Sequence, residues 1–272
     1  MITSDIETRG LVLLGCGKMG SAMLAGWLKG GLPASSVWVL DPNPSDWLQA
    51  TGVHINVDLP AMPALVLVAV KPQMMGDALP KLQALGNGET LFVSVAAGTS
   101  ITSFEETLGA QTPIVRAMPN TPALLQQGAT GLYAADSVSP AQRQRAEQLF
   151  SAIGVAHWVG REELIDTVTA LSGSGPAYFF LAMEALQKAG ESVGLSAEVA
   201  EKLAIQTALG AARMASESEH DAAELRRRVT SPGGTTEQAL NTFNEGGLTE
   251  LYEKAVKAAA NRGKELAEQL DN

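Results

Sequence analysis

The hexapeptide Gly15-Cys16-Gly17-Lys18-Met19-Gly20 constrains the fold of this chain more than any other feature. The pattern G-x-G-x-x-G is weak when it stands alone. Here it follows the apolar run Leu11-Val12-Leu13-Leu14 at once and opens a segment carrying Ala22, Met23, Leu24, Trp27 and Leu28, which reads as a helix. Strand, glycine turn and helix in that order make the phosphate-binding start of a dinucleotide domain. Gly15 is expected to make the tight turn, Gly17 to let the backbone approach a pyrophosphate, and Gly20 to let the helix lie close to the sheet. The helix start then offers unpaired N–H groups and partial positive charge to the phosphates. A glycine-rich loop with no ligand is the alternative, and the flanking strand and helix weigh against it.

Further apolar runs follow. Val37-Trp38-Val39-Leu40 ends at Asp41-Pro42, and residues 64–70 (ALVLVAV) end at Lys71-Pro72. Residues 91–95 end at Ala96-Ala97-Gly98, and Pro113-Ile114-Val115 leads into Arg116-Ala117-Met118-Pro119. Short runs that are apolar throughout are strands covered on both faces of a parallel sheet. With helical segments between several of them, residues 1–160 read as a doubly wound α/β domain that binds a dinucleotide.

Near Gly160 the pattern changes to capped helices. One opens at Gly175-Pro176 and runs through Tyr178, Phe179, Leu181, Met183 and Leu186 toward Gly190. Proline suits the first helical position, where its missing N–H is not needed. The next opens at Ser196 and runs through Val199, Leu203, Ile205 and Leu209 to Met214; others cover 221–229 and begin near Thr235 and Thr249. The first two are apolar on more than one face, so they need several neighbours. Residues 161–272 are too few to surround them. The expectation is a helical substrate and dimerisation domain covered by a second subunit, twofold homo-oligomers being common. Docking onto the first domain of the same chain is the alternative.

Composition sets the class. With 272 residues and 46% hydrophobic side chains, the chain can bury a core for two domains. Its 19 Lys and Arg against 29 Asp and Glu leave a net charge of -10, which argues against a nucleic-acid partner. Cys16 is the sole cysteine, so no intrachain disulfide forms, as suits a reducing compartment. No basic segment followed by an apolar run opens the chain, and its longest apolar run, residues 64–70, is too short for a bilayer. A cytoplasmic protein without a membrane partner is expected.

Asp41 stands at the end of the second strand run, where an acid usually takes the adenosine ribose hydroxyls. A carboxylate there favours NAD and repels the 2′-phosphate of NADP, while Asn43 and Ser45 are able to hydrogen-bond a phosphate. No arginine is adjacent, and a turn-forming acid before proline is the alternative. The other strand-end loops, Ala69-Val70-Lys71-Pro72, Ala96-Ala97-Gly98 and Met118-Pro119-Asn120-Thr121-Pro122, are small, rigid and poor in charge. They suit an adenosine ribose and a nicotinamide held by backbone groups. Lys71 reads as a positional residue rather than a catalytic amine.

In the second half, Ser231-Pro232-Gly233-Gly234-Thr235-Thr236-Glu237-Gln238 combines a freed backbone with two hydroxyls at a helix start. Thr235 is expected to N-cap that helix with Gln238 as reciprocal partner. Such a turn suits one carboxylate, and a plain capping loop is the alternative. The turn Leu171-Ser172-Gly173-Ser174-Gly175-Pro176 reads as a close approach of the two domains. His54, His157 and His220 lie in unrelated contexts, and no His/Cys cluster has metal-ligand spacing, so no metal is expected. Nothing demands a general base. That fits reduction of an imine which already carries its proton and needs orientation, a bound carboxylate and a hydride.

The segments LLGCGKMGSAMLAGWL, AVKPQ, SVAAGTSI, RAMPNTP, LSGSGPAYFF and VTSPGGTT, in this order, resemble those of pyrroline-5-carboxylate reductases along nearly the whole chain. The resemblance implies a Rossmann-like domain followed by an all-α dimerisation domain, interlocked dimers often gathered into decamers, and the last step of proline biosynthesis. It implies that Ser231, Gly233, Gly234, Thr235 and Thr236 hold the carboxylate of 1-pyrroline-5-carboxylate, with Thr236 near the ring nitrogen and Glu219 supplied nearby through the dimer. It also implies that residues 15–20, Asn56, Ala69, Val70, Lys71, Pro72, Ala97 and Gly98 line NADPH or NADH. Many members prefer NADPH, and Asp41-Pro42 departs from the more polar or basic patterns seen there. Two rivals are a hydroxyisobutyrate-type dehydrogenase, for which Lys188 or Lys202 would serve as acid/base, and a catalytically silent dinucleotide-binding scaffold.

Overall fold

The structure, a computed structural model, describes residues 4–270. Its strands are β1 (Leu11–Leu14), β2 (Val37–Leu40), β3 (His54–Ile55), β4 (Leu65–Val68), β5 (Leu91–Ser94), β6 (Ile114–Met118), β7 (Gly128–Ala134) and β8 (Gly154–Trp158). They form one sheet in the order β3-β2-β1-β4-β5-β6-β7-β8. Every neighbouring pair is parallel except β6 with β7. β1, β4, β5 and β6 are buried along their whole length, which is why they are written largely as apolar runs, interrupted only by the buried Ser94 and Arg116.

Helices α1 (Ser4–Arg9), α2 (Lys18–Lys29), α3 (Asp46–Ala50), α4 (Met75–Ala78), α5 (Ile101–Leu108), α6 (Pro140–Ser151) and α7 (Leu164–Val168) lie among the strands in sequence. α2 buries Met23, Leu24 and Trp27. The Trp27 indole donates to Leu149 O at 2.8 Å and meets Phe150 edge to face, which ties α2 to α6. α6 starts with a full capping box between Ser139 and Gln142 and has proline in its first turn. A Cβ on Gly131 of β7 would stand 2.6 Å from the Val168 side chain, so glycine there lets α7 lie directly on the strand.

Packing divides the chain into two compact units, Met1–Ser174 with Ala258–Asn272, and Gly175–Lys257. Residues 161–174 thus pack with the sheet. The second unit comprises α8 (Gly175–Ser192), α9 (Ala197–Glu217), α10 (Ala222–Arg228), α11 (Thr235–Glu245) and the first part of α12 (Leu248–Leu270). Ser196 caps α9 and Asp221 caps α10, each by accepting an N–H of the first turn. Few of this unit's apolar side chains are buried. Phe179, Phe180 and Leu181 are each about two-thirds exposed, and Leu203, Ile205 and Leu209 are exposed too. A groove of 550 Å³ runs between Tyr178, Leu181, Leu186, Phe243, Leu251 and Tyr252. Apolar surface of this extent marks an interaction face.

Candidate active site

The sheet order turns back at β1: β2 lies on one side and β4 on the other. The carboxyl ends of β1 and β4 therefore bound the crevice in which doubly wound sheets bind ligands. The glycine turn sits there, and its three glycines are required for three different reasons. Gly15 has φ of +86°, and a Cβ on it would stand 2.8 Å from Val70 Cγ1. A Cβ on Gly20 would stand 2.7 Å from Gly15 O. Gly17 faces open space, with nothing within 4 Å of a Cβ. It is also the N-cap of α2, and no side chain caps that end, so the first N–H groups of the helix remain for a ligand. Lys18 and Met19 occupy that first turn. An open glycine beside an uncapped helix start fits a dinucleotide pyrophosphate.

Asp41 follows β2, and its carboxylate is held from both sides. Cys16 N donates to Oδ2 at 2.7 Å and Asn43 N to Oδ1 at 2.8 Å. Asn56, at φ of +52°, clamps the backbone of the same residue: its Nδ2 donates to Asp41 O at 2.7 Å and its Oδ1 accepts from Asp41 N at 3.0 Å. Leu14, Leu40, Asp41, Asn56, Val70 and Met74 are among the residues around a crevice of 280 Å³. Burial, and after it the Asp41 charge, pushes the Cys16 thiol up to about 11. The thiol therefore stays protonated at neutral pH and is no nucleophile.

The remaining strand-end residues divide by exposure. Ala69 and Val70 are half-buried beside Gly15, while Lys71 is exposed and precedes a short turn that starts with Pro72. After β5, Ala97 is exposed and Gly98 takes φ of +75°. Asn120, buried after β6, accepts from Ala129 N and donates to Ser172 O, both at 2.9 Å. Its amide joins the loop after β6 to β7 and to the π-helical turn Thr169–Gly173.

The turn before α11 lies in the second unit. Gly233 has φ of +71°, where only glycine is unstrained. Its N–H donates to Glu237 Oε2 at 2.8 Å, and Gly234 N donates to Ser231 O at 3.0 Å. The expected cap by Thr235 is not formed. Gly234, in an extended conformation, is the N-cap, and Thr235 is already helical. The acid at the third helical position, Glu237, reaches back past the cap to Gly233, and the reciprocal bond expected of Gln238 is not formed. Ser231, Thr235 and Thr236 are exposed, and among the described residues neither threonine hydroxyl has a hydrogen-bond partner. Glu219 is exposed in the turn between α9 and α10.

The lysines that a hydroxyisobutyrate-type enzyme would need are committed elsewhere. Lys188 Nζ meets Glu184 Oε1 at 2.5 Å and Lys202 Nζ meets Glu198 Oε1 at 2.6 Å, each one turn away on an exposed helix face. The hydrogen bond that Lys188 donates to Glu184 raises its pKa, the opposite of what acid/base work requires. Among the described residues, no group of three or more His, Cys, Asp or Glu is placed to hold a metal ion, and no helix is long and apolar enough to cross a membrane.

Two family models match the chain: pyrroline-5-carboxylate reductase dimerisation over residues 162–266, and NADP oxidoreductase, coenzyme F420-dependent, over residues 10–98. A pyrroline-5-carboxylate reductase of Pseudomonas aeruginosa is 48% identical over 271 residues, covering 97% of this chain and 99% of the relative. The chain belongs to the pyrroline-5-carboxylate reductase family. The solved structure of the family member from Coxiella burnetii superposes with a TM-score of 0.90 at 42% identity, over 95% of this chain and 98% of that one. The Plasmodium falciparum member, solved with NADP bound, gives a TM-score of 0.84 at 28% identity, over 96% and 99%. The likeness thus spans both the glycine turn and the turn before α11.

Proposed function

We propose that this chain reduces the C=N bond of 1-pyrroline-5-carboxylate to give L-proline, the last step of proline biosynthesis. A reduced nicotinamide dinucleotide, held by the glycine turn, supplies the hydride when bound. One observation carries the reading beyond family membership. The Gly233 N–H already holds a carboxylate, that of Glu237, in a glycine turn beside two free threonine hydroxyls.

In this reading Ser231, Gly233, Gly234 and Thr235 bind the substrate carboxylate through N–H and hydroxyl groups and so fix which face of the ring is open. The Thr236 hydroxyl hydrogen-bonds the ring nitrogen as hydride arrives, and Glu219 completes the pocket from a second copy of the chain. The imine carries its own proton, so orientation is the main catalytic device. Residues 1–160 serve the dinucleotide, with Gly15 to Gly20, Asp41, Asn43, Asn56, Ala69 to Pro72, Ala97, Gly98 and Asn120 around it. Residues 161–272 serve the substrate and the dimer. The exposed apolar faces of α8 and α9 and the groove at Tyr252 support a dimer, which gathers into larger rings such as decamers in the cytoplasm.

The test is product formation. Purified protein given racemic pyrroline-5-carboxylate and reduced dinucleotide should yield L-proline alone on chiral chromatography, leaving the D enantiomer of the substrate unreduced. Equal reduction of both substrate enantiomers, or of neither, would contradict a site that fixes the ring by its carboxylate.

A further inference from the structure

On the reductase reading above, we infer that Asp41 makes this chain selective for NADH over NADPH. The two cofactors differ only at the adenosine ribose, where NADH has a 2′-hydroxyl and NADPH a 2′-phosphate. A hydroxyl donates a hydrogen bond to a carboxylate. A phosphate is repelled by one and needs a guanidinium or ammonium group instead.

Asp41 follows β2, beside the glycine turn, and borders the 280 Å³ crevice. Its carboxylate cannot turn aside for a phosphate without breaking the structure around it. One oxygen holds the N–H of Cys16 inside the glycine turn, and the other holds the N–H of Asn43. The backbone of Asp41 is clamped in turn by both ends of the Asn56 amide. Each carboxylate oxygen keeps acceptor capacity for a ribose hydroxyl after these bonds are made.

The surroundings add no compensating charge. Residues 41–55 contain Asp41 and Asp46 but neither Lys nor Arg. The Asn43 N–H, which would otherwise suit a phosphate oxygen, is taken by Asp41. Ser45 accepts from Leu48 N as the cap of α3. Among the described residues that line the crevice, Lys81 is the one cation, and Asp41 and Asp77 outnumber it. The Plasmodium falciparum relative was solved with NADP bound, but at 28% identity it does not fix the choice for this chain.

Dissociation constants for NADH and NADPH, read by calorimetry on the full-length protein, test the inference without relying on turnover. The wild type should bind NADH about ten- to a hundredfold more tightly, the scale of one close charge repulsion near a protein surface. Asp41→Asn keeps an acceptor for the Cys16 N–H while removing the charge, and should narrow that ratio mainly by tightening NADPH. Asp41→Ser should narrow it further, with a melting curve confirming that each variant folds. Tighter NADPH binding by the wild type, or a ratio that neither variant moves, would overturn the inference while leaving the reductase intact. Binding of neither cofactor by folded protein would remove the reductase reading as well.

Discussion

The backbone N–H of Gly233 donates to Glu237 Oε2 at 2.8 Å, so the turn before α11 holds an internal anion in the free chain. If this turn takes the substrate carboxylate, as proposed, that carboxylate shares it with Glu237 or displaces it. Glu237→Gln removes the like charge and keeps an amide oxygen for Gly233. The Michaelis constant for pyrroline-5-carboxylate should fall by about two- to fivefold with the turnover number nearly unchanged, since a surface charge contact is worth a factor of this size. An unchanged or higher Michaelis constant would show that the two carboxylates do not compete.

Thr236→Val removes the hydroxyl assigned to the ring nitrogen and keeps the shape of the side chain. Steady-state kinetics should show kcat/KM lower by about 1–3 kcal/mol of transition-state binding. Wild-type kcat/KM in this variant would assign the nitrogen to another donor.

Gly17 and Gly20 separate binding from packing. Gly17→Ala places a methyl in open space where the pyrophosphate backbone approach is expected. It should melt within about 1 kcal/mol of wild type yet bind dinucleotide far less well. Gly20→Ala drives a methyl to 2.7 Å from the Gly15 carbonyl, so the fold should lose about 1–3 kcal/mol as well. Paired melting and calorimetric titration would distinguish them, and equal effects of the two on melting would contradict the assignment.

The carboxyl of Asp166 has its pKa raised, by burial first and then by Glu162 and Glu163, with Arg116 and Lys264 opposing. A raised folded-state pKa means that stability is fully present below the unfolded value, about 4. It is lost as pH rises through the folded value. Asp166→Asn should therefore melt higher than wild type at neutral pH, and the gain should vanish in acid. A gain that persists below the unfolded pKa would point to packing rather than charge.

Much of this molecule is legible in its sequence because its central strands are buried on both faces. β1, β2, β4, β5 and β6 all appear as apolar runs. β7 does not: it opens Gly-Ala-Thr-Gly, and its glycines lie against residues such as Ile153 and Val168. β8 alternates half-buried and exposed residues at the sheet edge. β3 has two residues, and His54 stacks on Trp38 of β2 at 4.5 Å, a contact across the sheet that no local pattern announces.

The site divides in the same way. The tight turn at Gly15 and the close packing at Gly20 follow from their spacing, and the space left beside Gly17 agrees with its expected role. The clamp of Asn56 on Asp41 needs the tertiary fold to bring them together, as does the pairing of buried Arg116 with Glu162 at 2.9 Å. Glu237 reads in sequence as an ordinary acid near a helix start. Its grip on Gly233 emerges only once Gly234 is seen to cap the helix in place of Thr235.

The most direct test is the absorbance of the reduced nicotinamide when purified protein meets pyrroline-5-carboxylate, with NADH and NADPH run side by side. The account predicts rapid, substrate-dependent loss of absorbance, faster with NADH at limiting cofactor. No loss with either cofactor, from folded protein that still binds dinucleotide, would contradict the reductase and leave a binding scaffold in its place.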